Sequence, residues 1–188
     1  MQEDQPLVEL LASYKPFDEL EALHIRQLVQ FLSMGNNHYD RTNLLGHVVA
    51  DAWIVNPERN KVVLIEHGLN KLWMAPGGHC DGDTDVLAPA RREVWEETGL
   101  ADITPLLDGG IYDINVGVVP TREKNGTLEP SHIHFDICFA FEASEHVPLK
   151  ISLESTGLAW VLLEDFPALN TSPSHNRRLL KTQRSILK

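Results

Sequence analysis

The chain has 188 residues, of which 43% are hydrophobic and 23% are charged, and its net charge is −11. This length suits one domain with a small appendage, and the composition is ordinary for a globular protein with a substantial core. An acidic chain is a poor general ligand for nucleic acid or for an anionic membrane surface, so we expect neither as a partner.

The N-terminus and the cysteines predict a cytoplasmic protein. The opening residues MQEDQPLVELL show no basic segment followed by an apolar run, and no stretch of the chain approaches the length that spans a membrane. Cys80 and Cys138 form neither a disulfide framework nor a CxxC metal pair. We therefore expect a cytoplasmic location.

Apolar residues at helical spacing predict a helix over residues 7–34, which ends at Gly35-Asn36-Asn37. The recurring positions are Leu20, Leu23, Leu28, Phe31 and Leu32. We assign residues 1–45 to an N-terminal helical extension, whose apolar positions could serve a homodimer.

Beyond this extension the pattern changes to β-branched and apolar runs bounded by turn residues, which predict strands. These runs are residues 47–55, 61–67, 71–75, 110–119, 132–143 and 157–163, and a long polar loop fills residues 120–131. Strands interrupted by few helices predict an α+β domain over residues 46–170, with a mixed β-sheet in an α/β/α layered sandwich.

The main helix of this domain is predicted over residues 84–98, and Gly99 ends it. Three polar residues are candidates for its N-cap: Asp83, Thr84 and Asp85. The apolar positions of the helix share one face, which would pack on the sheet.

Three carboxylates crowd the C-terminal half of that helix, beside its apolar face: Glu93, Glu96 and Glu97. Glu93 and Glu97 form a like-charge pair at i,i+4, and the helix dipole disfavours anions at this end. One interpretation is a solvated acidic face. The other is a site for Mg²⁺ or Mn²⁺, which prefers carboxylate and carbonyl oxygens and would reverse these repulsions. The Gly77-Gly78 pair would let backbone carbonyls approach such a cation.

Residues 78–100 resemble the sequence box of the Nudix, or MutT-like, hydrolases. Eight of its nine specified positions are in register: Gly78, Arg92, Glu93, Val94, Glu96, Glu97, Gly99 and Leu100. The strand pattern from about residue 46 to residue 167 is also similar to the layered fold of that family. The N-terminal helical extension, the GGH triplet and the later HIHFD resemble a bacterial Nudix subgroup with an unassigned substrate.

One box position differs, because Thr84 stands where the family has its first glutamate. In the family that glutamate supports the loop–helix geometry and pairs with the box arginine, which is Arg92 here. Thr84 could cap the helix instead, and Asp83 or Asp85 could supply the charge. The departure concerns the support of Arg92 more than the cation site.

The resemblance implies hydrolysis of a diphosphate linkage in a nucleoside diphosphate linked to another moiety, with Mg²⁺ or Mn²⁺ as cofactor. By position in the box, Glu96 and Glu97 would bind the cation. Glu93 would be a further ligand or the general base, and the Gly78 carbonyl a further ligand. Arg92 would orient Glu96 from one helical turn away. The expected partner is a small nucleotide-type diphosphate that the sequence does not specify.

A polar row on one strand offers further candidates for substrate binding. His132, His134 and Asp136 alternate with apolar residues, so their side chains share one face of residues 132–143. They could bind phosphate, supply the base or hold a second metal such as zinc, or they could form a polar sheet face under the N-terminal helices. His79 could reach the same site or bond to the backbone of its own loop.

The last segment, residues 171–188, is predicted to be a basic helix or tail with five Lys or Arg residues and no acid. Its charge could attract a phosphate-rich ligand. A solvated last helix is the simpler interpretation.

Two other functions are compatible with the same fold. A Nudix-like domain can bind a nucleotide metabolite as a sensor without cleaving it, and Thr84 favours that hypothesis. A relative of isopentenyl-diphosphate isomerase would use a cysteine and a different metal set, whereas we interpret Cys80 as a small buried residue. The presence of all three box glutamates favours the hydrolase over both alternatives.

Overall fold

The computed structural model describes residues 5–35, 37–68, 72–124, 127–153, 155–170, 172–184 and 187. The described helices are α1 (Gln5–Ser13), α2 (Glu19–Leu32), α3 (Leu87–Thr98), α4 (Phe166–Leu169) and α5 (Pro173–Gln183). The described strands are β1 (Gly46–Val55), β2 (Lys61–His67), β3 (Trp73–Met74), β4 (Gly77–His79), β5 (Thr104–Pro105), β6 (Ile111–Val119), β7 (Arg122–Lys124), β8 (Thr127–Glu129), β9 (His132–Glu142) and β10 (Ser155–Leu162).

A mixed sheet forms the centre of the fold, as predicted. Its main path runs β10-β2-β1-β9-β5, with β3 paired to β2, β4 to β1 and β6 to β9. The β1–β9 pair is parallel, from Gly46 opposite Ile133 to Val55 opposite Glu142, and the other pairs are antiparallel. The sequence predicted these strands but not their order, since that order depends on contacts between distant segments.

Helices cover both faces of the sheet, which confirms the layered α+β architecture. One core joins alternate residues of β1 and β9 to α2 and α3, and includes Ala50, Phe139 and Val94. The other core lies on the opposite face against α4 and α5, and includes Trp53 and Leu179. None of the helices in the described part of the chain is both long enough and apolar enough to cross a bilayer.

The N-terminal extension consists of two helices, so the single helix predicted over residues 7–34 is wrong in its continuity. Pro16 lies between α1 and α2 and cannot donate a backbone hydrogen bond to a continuous helix. Asp18 is the N-cap of the second helix, and its Oδ1 accepts a 2.7 Å hydrogen bond from the Glu21 amide.

The segment predicted as a polar loop over residues 120–131 contains a short hairpin. Its strands β7 and β8 pair antiparallel, with Arg122 opposite Glu129. These two side chains also form an ion pair across the hairpin. Polar composition concealed the strands because the hairpin stands outside the main sheet and has no apolar face to bury.

The basic helix α5 is buried by its charged side, so the expectation of a solvated last helix is wrong. Arg177, Arg178 and Lys181 are each at most 2% exposed. Arg177 donates to both carboxylate oxygens of Asp113 on β6, at 2.7 and 2.9 Å. Lys181 donates to Asp113 at 2.8 Å and to Glu21 of α2 at 2.6 Å.

Asp113 is the shared acceptor of this buried network. Burial alone would raise the pKa of its carboxyl, but the hydrogen bond from Arg177 and the charges of Arg178 and Lys181 outweigh burial and hold the pKa below its usual value. Glu21 also accepts from the Ile114 amide at 3.0 Å. The network therefore ties the first and last parts of the chain to the same strand.

Removing this shared charge should destabilise the fold strongly. We expect Asp113→Asn to lower the free energy of unfolding by about 3–5 kcal/mol, since it removes the counter-ion that three buried cations share. The matched control is Asp81→Asn, which breaks a bidentate pair with Arg41 that is about half exposed. That change should cost at most about 1 kcal/mol. Urea unfolding measures both, and equal losses would contradict the role given to Asp113.

Candidate active site

Helix α3 packs its apolar side on the sheet, and the three predicted carboxylates lie beside that apolar side of the helix. Ala90 and Val94 are fully buried, Glu93 and Glu97 are half-buried, and Glu96 is exposed. The helix ends at Gly99 as predicted, where φ is +72° and the amide donates to the Trp95 carbonyl.

The predicted side-chain cap of α3 is wrong. The helix begins at Leu87 after Val86, and no side chain in the described part of the chain caps it. Asp83 instead accepts a 3.0 Å hydrogen bond from the Asp85 amide, which closes a turn before the helix. Thr84 and its neighbours therefore shape the preceding loop rather than the helix terminus.

The glycine pair begins strand β4, and its lack of side chains makes room for carboxylates. A Cβ on Gly78 would lie 2.4 Å from Glu93 Oε1, so the Glu93 carboxylate sits directly over the Gly78 backbone. The Gly77 amide donates a 2.9 Å hydrogen bond to Glu97 Oε2. A Cβ on Gly77 would meet Asp51 Oδ1 at 2.5 Å on β1. The Gly77-Gly78 strand thus holds Glu93 and Glu97 against the sheet.

Arg92 joins the helix to the same strand. Its Nη2 donates to the His79 carbonyl at 2.7 Å and lies 3.3 Å from Glu93 Oε1. Its Nε is 3.9 Å from Glu96 Oε1, an ion pair beyond hydrogen-bonding distance. The interaction expected with Glu96 is present, but Arg92 is held more closely by a backbone carbonyl and by Glu93.

Glu93 has a perturbed carboxyl pKa. Burial raises the pKa of its carboxyl above the usual value, and the hydrogen bond from Arg92 opposes that shift. A carboxylate with a raised pKa is a better proton acceptor, and it gains more from a bound cation.

Four imidazoles gather near the amino ends of β1 and β9. His132 and His134 share one face of β9, as predicted from their alternation, and the parallel register puts His47 of β1 opposite His134. The His47 ring centroid is 5.0 Å from that of His132 and 4.8 Å from that of His134. The His79 ring adjoins this group, 5.0 Å from His47 and 5.4 Å from His134.

These imidazoles lie in a desolvated environment. His47 and His132 are 1% and 4% exposed. Burial, followed by the neighbouring His47, lowers the pKa of His134 to about 3, and burial also lowers the pKa of His47. Neutral imidazole is therefore the favoured form of both rings, which makes them metal ligands or hydrogen-bonding groups rather than cations for phosphate.

Asp136 lies further along the same face of β9, away from the imidazoles. Its Oδ2 accepts a 2.7 Å hydrogen bond from Asn115 Nδ2 of β6. Burial and the negative charge of Asp51 raise the pKa of Asp136 to about 7. Asp51 itself accepts from Arg178 at 2.6 Å.

Sequence reasoning missed His47 and Asp51. Both stand in β1, which reads as an apolar strand, and neither lies near a recognisable motif. Their partners are in β9 and α5, 87 and 127 residues later in the chain for His134 and Arg178. The parallel β1–β9 pairing brings His47 to His134, and the antiparallel β1–β4 pairing brings Asp51 beside Gly77.

A family model described as the NUDIX domain matches residues 46–183, from the first strand to the end of α5. Among curated proteins, the phosphatase NudJ of Escherichia coli strain K12 is 38% identical over 55 residues, which cover 28% of this chain and 35% of NudJ. The chain therefore aligns with about a third of the length of the curated relatives it matches.

Solved structures share the fold at low sequence identity. An Ap4A hydrolase from C. elegans, in a binary complex, has a TM-score of 0.57 and 18% identity, covering 74% of this chain and 96% of that one. The NUDIX domain of Shewanella oneidensis NrtR, complexed with ADP ribose, has a TM-score of 0.52 and 18% identity, covering 85% of this chain and 98% of that one.

The family match spans well over half of the sequence and includes the carboxylate helix, so this chain belongs to the NUDIX domain family.

Proposed function

We propose that this protein is a Mg²⁺-dependent pyrophosphohydrolase that cleaves a diphosphate linkage in a nucleoside diphosphate linked to another moiety. The observation that carries the proposal is the contact of Glu93 and Glu97 with the Gly77-Gly78 strand. Two carboxylates on one helix are held against a backbone that has no side chains to exclude a ligand.

The residues at this site fit a hard divalent cation. Glu93, Glu96 and Glu97 would supply carboxylate oxygens from the C-terminal half of α3, and Gly78, which lies against Glu93, would supply a backbone carbonyl. Oxygen donors of these two kinds are the ones that Mg²⁺ and Mn²⁺ prefer. Mn²⁺ would be accepted by the same donor set.

A cation bound here would neutralise negative charge on the phosphate oxygens and make water more acidic. The chain's own groups have separate tasks. Glu93, whose pKa is raised by burial, is our candidate to accept the proton from the attacking water. Arg92 is a positioning residue, because it links Glu93 to the His79 carbonyl.

The isomerase hypothesis requires a reactive cysteine, and neither cysteine suits that role. Cys80 is 1% exposed, and burial raises the pKa of its thiol to about 12. A buried thiol with such a pKa is a poor nucleophile and a poor acid. Cys80 is more consistent with a core position beside the glycine strand.

The substrate class is tested with a phosphate-release screen in the presence of Mg²⁺ or Mn²⁺. The panel contains nucleoside triphosphates, dinucleoside polyphosphates such as Ap4A, ADP-ribose, NAD-type dinucleotides, nucleotide sugars and CoA. Turnover of one class would identify the substrate. If no member were cleaved while one still raised the melting temperature, the sensor hypothesis would replace the hydrolase.

The cation-binding carboxylate is tested by Glu97→Gln. Its amide oxygen can still accept from the Gly77 amide, so we expect the melting temperature to change little. Loss of the charge should lower kcat by at least about 100-fold, in the range seen when one group that stabilises transition-state charge is removed. Glu164→Gln, an exposed carboxylate outside the site, is the control. Near-normal kcat in Glu97→Gln would remove Glu97 from the mechanism.

The need for glycine beneath Glu93 is tested by Gly78→Ala. The added Cβ must displace the end of the flexible Glu93 side chain, so we expect a folded protein with its carboxylate moved by about 1 Å. A displacement of that size can cost about 100-fold in turnover. The control is Gly117→Ala, where the nearest atom to a new Cβ is 3.7 Å away. Equal activity of the two variants would show that Glu93 does not need this position.

We also propose a cytoplasmic location and a homodimer. Cys80 and Cys138 are free thiols, as is usual in a reducing compartment. Leu20 and Leu23, one turn apart on α2, are 39% and 42% exposed and could meet a second copy. Light scattering of the wild type and of Leu23→Asp tests the dimer.

A further inference from the structure

Three histidines converge on the face of the sheet opposite α3. His47 and His134 face each other in the parallel β1–β9 register, and His132 precedes His134 by two residues on the same face. One nitrogen from each ring lies within 4.8 Å of the others. None of these residues belongs to the carboxylate site, so the cluster needs its own explanation.

The hydrogen bonds around this cluster indicate which nitrogen carries a proton in two of its rings. His132 Nδ1 is 2.8 Å from the Pro130 carbonyl oxygen, and His47 Nδ1 is 3.4 Å from that of Asn43. A carbonyl oxygen only accepts, so both Nδ1 atoms are inferred to be donors. In a neutral ring the Nε2 atom is then left with a lone pair.

The Nε2 atoms of His47 and His132 both lie in the interior of the cluster region, since His47 Nε2 is buried and His132 Nε2 faces His134. His47 Nε2 is buried and has no hydrogen-bond partner among the residues that the structure describes. His132 Nε2 is 3.1 Å from His134 Nε2. His134 Nε2 can donate at most one proton, so it cannot satisfy both His132 Nε2 and His47 Nε2. A buried acceptor without a partner is unfavourable, and a cation at the centre would satisfy it. Backbone carbonyls that fix the Nδ1 protons are the usual outer partners of metal-binding histidines.

The charges around the cluster do not prevent a cation from binding. The nearest arginines are already paired, Arg122 with Glu129 and Arg41 with Asp81. Two tetrahedral nitrogen ligands of Zn²⁺ would stand about 3.4 Å apart, given bonds of about 2.0–2.1 Å. The 3.1 Å separation of the His132 and His134 Nε2 atoms is close to that value.

We propose that the Nε2 atoms of His47, His132 and His134 form a binding site for a divalent transition metal ion of the Zn²⁺ type. Imidazole nitrogen suits this class of metal, whereas Mg²⁺ prefers oxygen. Three protein ligands leave a fourth position for water or another ligand, and the His79 ring lines the side nearest the glycine strand. The site is separate from the carboxylates and does not depend on the proposed hydrolysis.

The test is Zn²⁺ titration of the full chain without a histidine tag, after chelator treatment and with excess Mg²⁺ to occupy the carboxylates. We expect one Zn²⁺ per chain by calorimetry, and visible absorption when Co²⁺ replaces Zn²⁺. His134→Gln should weaken Zn²⁺ binding by more than about 100-fold, beyond the loss seen when only an orienting partner is removed. His146→Gln, an exposed histidine outside the cluster, should bind normally.

Further variants separate this site from the carboxylates and from misfolding. Glu97→Gln should keep full Zn²⁺ binding, since its charge is not part of the histidine cluster. If His134→Gln does not melt cooperatively, His132→Gln replaces it. Absence of saturable Zn²⁺ binding in the wild type would overturn the proposal, as would equal binding by a folded His134→Gln or His132→Gln variant.

Discussion

The parallel pairing of β1 with β9 is the constraint on which both polar sites depend. Side chains alternate along each strand, so this pairing assigns every residue of the two strands to one face. Ala50 and its apolar neighbours form the floor on which α3 lies, which brings Glu93 over Gly78. His47 points to the other face and meets His134 there. A shift of register by one residue would exchange the two faces and dismantle both sites.

Charge, as well as apolar burial, holds the ends of the chain to this sheet. Lys181, on the basic side of α5, links Glu21 of α2 to Asp113 near the start of β6, and Arg177 binds the same Asp113 carboxylate. Burying such a network costs desolvation free energy, and the attraction between the charges offsets that cost only when each charge has a partner. Its partners come from both ends of the chain, so the helical extension and the last helix are bound to one strand. The network continues through Arg178 to Asp51, beside the glycine strand.

Much of the fold and the carboxylate site could be predicted from local sequence patterns, because helix and strand periodicity depends on neighbouring residues. The 3.6-residue period puts Glu93 and Glu97 on one side of α3, and the two-residue period puts His132 and His134 on one face of β9. Contacts between distant segments could not be predicted in this way. Arg177 and Lys181 are of residue types that usually lie at the surface. They are buried here because each forms an ion pair with a buried carboxylate, Arg177 with Asp113 and Lys181 with Glu21. Nothing in the sequence around His47 indicates that it lies near His132 and His134. Pro16 does indicate a break between two helices, but the periodic leucines on its C-terminal side favoured a single continuous helix.

The central claim is that the carboxylates of α3 bind a divalent cation at the glycine strand. The most direct measurement is electron paramagnetic resonance of Mn²⁺ added to metal-free protein, in which binding removes the signal of the free ion. We expect saturable Mn²⁺ binding by the wild type and by Glu164→Gln, and much weaker binding by Glu97→Gln. If Glu97→Gln bound Mn²⁺ as tightly as the wild type, the cation site would lie elsewhere and the proposed mechanism would be wrong.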